Sequence, residues 1–373
     1  MRRQTAAFTA AAAVGAGAAV LLLGRKVSEQ AVRPGALPAP GGPPPVLKVV
    51  QLAAGRITLT RTPEALRPGR YALEWGEDGH AVVGEVVGQD ARTVTRRLER
   101  ADTGTLTPGT QLRLTPRVLR GDPTSALALP FTETTAAGEL GPLPAWLTPG
   151  VRGTWVVLVH GPGADREQAL PVLPTLSSLR LPTLTVTYRG DAGAPASPDG
   201  MGHFGETEWR DVESAVRLAL DSGAGRVVLY GWSLGATIAL QTAARSDWRD
   251  RIAGLVLDSP VLDWSETVRR GAVLAGAPAE LAGLGVLAAE GRTGVDLAGF
   301  ARLASGADLE VPVLLLQSPE DAVAPALAAT ALAERRPELV SLHSVPGAAH
   351  AALWNADPDG YAEALRRFLT PLL

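Results

Sequence analysis

The stretch Val227-Val228-Leu229-Tyr230-Gly231-Trp232-Ser233-Leu234-Gly235-Ala236 decides how the larger part of the chain is read. Its first four residues form the kind of continuous apolar run expected of a strand buried on both faces. The residues from Ala236 to Arg245 read as a helix. Between the two stands a Gly-x-Ser-x-Gly pattern. A serine forced into a tight strand-to-helix turn presents its hydroxyl at the carboxyl edge of a sheet, and glycines flank it because side chains there would strike neighbouring backbone. The helix that follows directs the positive end of its dipole at developing negative charge. The pattern also arises as an ordinary turn in a chain with 41 glycines, so the weight rests on the strand before it and the helix after it. On that context Ser233 is the candidate nucleophile.

Further apolar runs lie on either side: Trp155–Val159, Leu184–Tyr188, Gly254–Leu257 and Val313–Leu316. Amphipathic stretches separate them. Within 206–221, Trp209, Val212, Val216, Ala219 and Leu220 mark one helical face. Near the end Asp357 can cap a helix that has Pro358 at its first position and carries Tyr361, Leu365, Phe368 and Leu369 on one face. Strands alternating with helices imply an α/β fold, a mostly parallel sheet covered by helices, over residues 146–373. An Ala/Leu/Gly-rich, helix-like stretch over 262–308 interrupts the alternation and is the candidate for a small cap.

Residues 46–145 read differently. Short alternating runs such as Arg56–Thr60, Arg70–Trp75 and Ala81–Val87 are parted by Pro68-Gly69, Asp78-Gly79 and Pro108-Gly109, which predicts a small β-rich domain, a sandwich or open barrel. Before it, residues 28–45 form a Pro/Gly linker. Residues 1–27 hold an uncharged run from Thr5 to Gly24 between Arg2-Arg3 and Arg25-Lys26. Twenty helical residues span ~30 Å, the depth of a bilayer core, so this segment is expected to be an N-terminal membrane helix, an uncleaved signal-anchor. It implies membrane attachment with the folded part outside the cytoplasm; secretion after signal cleavage is the alternative.

Composition removes other chemistries. Lys+Arg 35 against Asp+Glu 38 leaves no electrostatic case for a nucleic-acid partner. With no cysteine there is no disulfide framework, thiol nucleophile or Cys-bound zinc. The five histidines show no helical metal-binding spacing, and no cofactor is required for the chemistry below.

A serine nucleophile needs a base, and the base an orienting acid. In this strand–turn–helix arrangement the acid follows the serine along the chain and the histidine follows the acid. His350, in Pro346-Gly347-Ala348-Ala349-His350 after a strand-like run, fits as base; His80, His160 and His203 precede Ser233, and His343 lies within the strand. Asp321 is the expected acid, in the turn after Val313–Gln317, with Asp258 at the end of the preceding strand as competitor. One amide for a developing oxyanion is expected from Leu234, the other from the loop His160-Gly161-Pro162-Gly163. Trp232 and Trp264 are candidate substrate contacts.

The set His160-Gly161, Gly231-x-Ser233-x-Gly235, Asp321 and His350, in that order, resembles the α/β-hydrolase superfamily, in its esterase, lipase, thioesterase and serine-aminopeptidase-like branch. The resemblance covers about Trp146–Leu373. Residues 46–145 look like the N-terminal region of bacterial α/β hydrolases with a similar two-part layout. What this implies is a serine hydrolase acting on a small-molecule acyl substrate, a carboxylic ester or related bond, through an acyl-enzyme. Peptidase or thioesterase chemistry on the same fold, or a membrane-tethered binding protein without catalysis, are the alternatives. One position departs from the family's pattern. The residue after His-Gly, whose amide the family uses, is Pro162, which has no N–H; Gly163 or Ala164 is expected to take its place.

Overall fold

The protein was described from a computed structural model, which covers Glu29 and residues 31–35, 45–274 and 276–373. The expected membrane helix (1–27) and most of the expected linker (28–45) lie outside the described residues. Among the described residues no helix is long and apolar enough to cross a membrane. The described part of the linker does not hang free. Val32 is 2% exposed, and its carbonyl accepts the Gly202 N–H at 2.8 Å, so residues 31–35 pack on the α/β unit.

Alternating residues build the first unit. In β2 (Arg56–Thr60), Ile57 and Leu59 are buried while Arg56 faces water. The same inward–outward rhythm marks β6 (Gln111–Thr115) and the first halves of β1 (Leu47–Ala53) and β5 (Thr93–Thr103), whereas β3 (Tyr71–Trp75) and β4 (Gly79–Gln89) begin with residues buried in succession. These six antiparallel strands close into a barrel in the order β1-β2-β5-β4-β3-β6. Closure leaves no strand edge unpaired. Leu47, Ile57, Leu59, Leu73, Val83, Val94 and Leu112 fill the interior. Arg96 is wholly buried; its guanidinium donates to the carbonyls of Ala65, Arg67, Gly69 and Gly84 at 2.6–3.1 Å, which fixes the loop before β3.

The second unit is an eight-stranded sheet. Its parallel part is β9 (Thr154–Val159), β10 (Thr183–Val186), β11 (Arg226–Trp232), β12 (Ile252–Asp258), β13 (Val313–Gln317) and β14 (Val340–Ser344). Strands β9 and β13 are buried along their whole length, because helices cover both faces. β8 (Pro142–Thr148) and β7 (Thr132–Ala137) extend the sheet antiparallel beyond β10, in the order β14-β13-β12-β11-β9-β10-β8-β7. The boundary expected at 145/146 therefore falls inside β8, and 132–148 belong to the larger sheet rather than to the barrel. An antiparallel margin with one covered face alternates in the same way as a barrel strand, so local pattern does not separate them. β10 lies on one side of β9 and β11 on the other. At such a reversal the carboxyl ends of the neighbouring strands part and leave a crevice.

Candidate active site

The turn at the end of β11 is built by exclusion. Ser233 stands at φ 54°, ψ −115°, directly before the helix Leu234–Arg245. Holding a non-glycine residue there costs about 1–3 kcal/mol, retained only when the surroundings over-determine it. Here they do. A Cβ on Gly231 would lie 2.2 Å from the Gly235 carbonyl oxygen, and one on Gly235 would lie 2.1 Å from that of Val159. The Ser233 N–H donates to the carbonyl of Asp258 at 2.8 Å. The helix begins one residue later, and among the described residues the Leu234 N–H has no acceptor.

Two loops from the neighbouring strands meet the serine. After β13, the Asp321 carboxylate accepts the N–H groups of Val323 and Ala324 through Oδ1 at 2.8 and 2.9 Å. Its Oδ2 accepts the Nδ1–H of His350 at 2.8 Å. That bond leaves the other ring nitrogen as acceptor, and the Ser233 hydroxyl donates to His350 Nε2 at 2.7 Å. The histidine loop is held at both ends: Glu320 accepts the Gly347 N–H at 2.9 Å, and the Ser259 hydroxyl accepts the Ala351 N–H at 3.0 Å.

Asp258, the competing carboxylate, takes a different place. Its Oδ2 accepts the Tyr361 hydroxyl at 2.6 Å and its Oδ1 accepts that of Ser259 at 2.8 Å. Complete burial pushes its carboxyl up to about 6, against the opposing hydrogen bonds of Tyr361 and Ser259. It steadies the backbone beneath the histidine; Asp321 is the carboxylate bonded to His350.

The opposite wall is the loop after β9. His160 is buried, stacked on Tyr188 at 4.7 Å, with Nδ1 2.8 Å from the Gly161 carbonyl and Nε2 2.8 Å from Asp191. Burial alone would lower this imidazole, but the Asp191 carboxylate and the Gly161 carbonyl outweigh it and hold the ring above its ordinary value. The Gly161 N–H is taken by Gln168 at 2.7 Å, and the Ala164 N–H by the Gly161 carbonyl at 3.3 Å. Gly163, at φ +71°, keeps an N–H without an acceptor among the described residues. Of the two amides expected to replace the one missing at Pro162, the open one is that of Gly163.

Ser233 is 1% exposed, and its hydroxyl faces a cavity of about 380 Å³ rather than bulk water. Trp232 lines this cavity, backed by Tyr230 with ring centroids 4.2 Å apart. Trp264 does not. It is 2% exposed in the core, 5.0 Å from the Phe204 ring. The expected cap forms the helices Trp264–Leu274, Gly283–Thr293 and Phe300–Ala304, yet none of the described residues of 262–308 borders the cavity. The reason is packing: Trp264, Val268 and Ala272 turn inward to the sheet's core. The cover comes instead from residues 115–119, which leave the barrel, and from Trp354 and Asn355. Sequence reasoning had no signal for these, nor for Gln168 or the His160–Asp191 pair, because each acts only through partners distant in the chain. Among the described residues no group of three or more His, Cys, Asp or Glu is placed to hold a metal.

Comparison with known families matches residues 156–364 to the alpha/beta hydrolase family and residues 48–115 to a domain of unknown function. Among solved structures, an esterase of Pyrococcus furiosus is 19% identical with a TM-score of 0.56, covering 68% of this chain and 94% of its own. A lidless serine hydrolase of Xanthomonas campestris is 16% identical with a TM-score of 0.46, covering 65% of this chain and 95% of its own. No curated protein matches the chain. At 19% identity the likeness to the Pyrococcus furiosus esterase concerns the fold.

Proposed function

Because the chain belongs to the alpha/beta hydrolase family, we propose that it is a serine hydrolase that cleaves a carboxylic ester or related acyl bond through an acyl-enzyme. The observation that carries this reading is the unbroken path Ser233 Oγ to His350 Nε2 to Asp321, at 2.7 and 2.8 Å, on the floor of a cavity. Ser233 Oγ attacks the carbonyl carbon as its proton passes to His350 Nε2. Asp321 holds the ring's tautomer and offsets its charge. The tetrahedral oxyanion is met by the open N–H groups of Leu234 and Gly163. Its collapse breaks the bond to the leaving alcohol, which takes the proton from His350. Water then repeats the sequence with His350 as base, releasing the acid and restoring the serine. The His160–Asp191 pair acts beneath this chemistry by fixing the loop that ends in Gly163.

A short alkoxy fluorophosphonate should label Ser233, and p-nitrophenyl acetate should be hydrolysed. Ser233→Ala should abolish both; turnover retained by that variant overturns the assignment. The membrane-anchored, extracytoplasmic placement is part of the same proposal and rests on the apolar run of residues 5–24 alone. Cell fractionation with protease accessibility tests it: a chain found soluble in the cytoplasm refutes it.

A further inference from the structure

The barrel is joined to the site by more than sequence. Asn355, five residues beyond His350, donates from Nδ2 to the carbonyls of Arg70 and Pro116, both at 2.9 Å. Its own carbonyl accepts the Arg70 N–H at 2.7 Å. The barrel backbone comes so close that a Cβ on Gly69 would lie 2.0 Å from that carbonyl oxygen. From the other side, Glu167 pairs with Arg117 at 2.8 Å and accepts the Gly121 N–H at 2.8 Å. The segment leaving β6 is thus stapled to both loops that flank Ser233.

The barrel grips the same segment from within. His80 Nε2 lies 2.8 Å from the Arg117 carbonyl, and its Nδ1 lies 2.7 Å from Asp102. Arg100 donates to the Val118 carbonyl and, at 2.9 Å, to Asp102. Successive carbonyls are therefore fixed by side chains of β4 and β5. A wall held in this way cannot yield cheaply to a larger substrate.

Beyond the wall lies a second space of about 440 Å³, bordered by Asp78, His80, Arg100 and Asp102. Leu119 borders this space and the cavity of Ser233 alike. On the cavity side Pro116, Val118, only 2% exposed, and Leu119 give the wall an apolar face; Arg117 also borders the cavity, with its charge taken by Glu167 at 2.8 Å. An aliphatic chain suits such a surface; a charged group would lose its water there without a new partner.

We propose that the barrel is a working part of the active site: residues 116–119 form the wall that limits the aliphatic chain of the substrate, and Leu119 is the partition at which that chain must stop. The substrate class is then an ester with a short aliphatic chain. The chain can sit on the acyl or the alcohol side of the ester. This inference rests on the ester-hydrolase reading for its substrate class, but the wall itself can be tested apart from it.

The experiment compares the full-length protein with Leu119→Ala and Leu119→Trp. One arm uses p-nitrophenyl esters of acyl chains from two to ten carbons; the other uses alkyl acetates over the same lengths. The quantity read is the ratio of kcat/KM for long and short chains, which does not depend on how much of each variant is folded. The wild type should fall off at longer chains. Leu119→Ala should open the partition and move the optimum to longer chains, gaining about fourfold per methylene newly buried. Leu119→Trp should move it to shorter ones. Whichever arm shows the shift identifies the side that meets the wall. Hydrolysis with the same length profile in all three proteins overturns the wall and leaves the hydrolase standing. If the wild type neither reacts with fluorophosphonate nor turns over esters, the hydrolase reading fails, and the wall is then read by calorimetry. Binding of alkyl carboxylates of increasing length to Ser233→Ala should still change its length dependence when Leu119→Ala is added; no change refutes the wall.

Discussion

Gly235→Ala is the smallest change that should disable the site while touching none of the three relay side chains. The added methyl would stand 2.1 Å from the Val159 carbonyl oxygen and 2.5 Å from that of His160. Neither contact can be relieved by a side-chain rotation, since both partners are backbone. To reach even 3.0 Å the start of the helix Leu234–Arg245 must part from the end of β9 by about 0.9 Å. The amide of Leu234 rides on the helix, and the amide of Gly163 follows His160 in the loop beyond β9. The displacement therefore separates the two donors proposed to meet one oxyanion. A misplacement of about 1 Å costs on the order of 10²-fold in rate, and loss of one such donor about 10²–10³. Overpacking in a rigid core costs about 1–3 kcal/mol as well. Gly235→Ala should thus lower kcat/KM for a short ester by about 10²–10³-fold and lower the melting temperature by several degrees. Gly225→Ala is the control, since a Cβ there would be an ordinary 3.5 Å from the Gly153 carbonyl. A Gly235→Ala protein with kcat/KM within threefold of wild type and an unchanged melting temperature would refute the reasoning.

Other outcomes follow from the same geometry. Asp321→Asn should cost about 10⁴ in kcat, because the amide favours the wrong tautomer of His350, whereas Asp258→Asn should stay within tenfold; equal losses in steady-state assays would show that the two carboxylates share the role. Asp258 also carries a pH signature. Its folded pKa of about 6 stands above the ordinary carboxylate value of 3.8, so the native state holds the proton longer than the unfolded chain. Its contribution is full below about pH 4 and is lost as pH rises through about 6, amounting to about 3 kcal/mol. Urea unfolding at pH 4 and pH 7 should show this slope in the wild type and lose it in Asp258→Asn; parallel curves would refute it. Burial lowers Arg96 to about 10, which leaves it charged at neutral pH. Arg96→Met would strand four carbonyls and should destabilise the protein by at least about 3 kcal/mol in denaturant melts; an unchanged midpoint would show that water replaces the guanidinium.

Much of the site was legible because its parts are local. The Gly-x-Ser-x-Gly turn, the apolar runs of the parallel strands and the glycine-bearing loop before His350 each announce themselves within about ten residues. Their backbone requirements are set by neighbours in the chain. The choice between Asp258 and Asp321 was less open to sequence, since both end adjacent strands and only side-chain direction tells them apart. Asp258 points to Tyr361, and Asp321 to His350. Trp264 was misleading for a related reason. A large aromatic residue in an apolar stretch suits a substrate pocket and a core equally well, and packing against Phe204 places it in the core.

From the amino-acid order alone came the α/β class, the β-rich first part, the strained serine and the candidate acid and base after it. These follow from hydrophobic period and from the few residues that tolerate special backbone. Only the folded chain showed that the barrel closes, that 132–148 belong to the other sheet, and that Thr115–Leu119 rather than 262–308 cover the serine. Such facts depend on contacts between residues well separated in the chain, from Thr148 and Thr183 or Leu47 and Leu112 to Pro116 and Asn355. Their energy resides in the meeting of two surfaces, and neither surface carries a local pattern that names its partner.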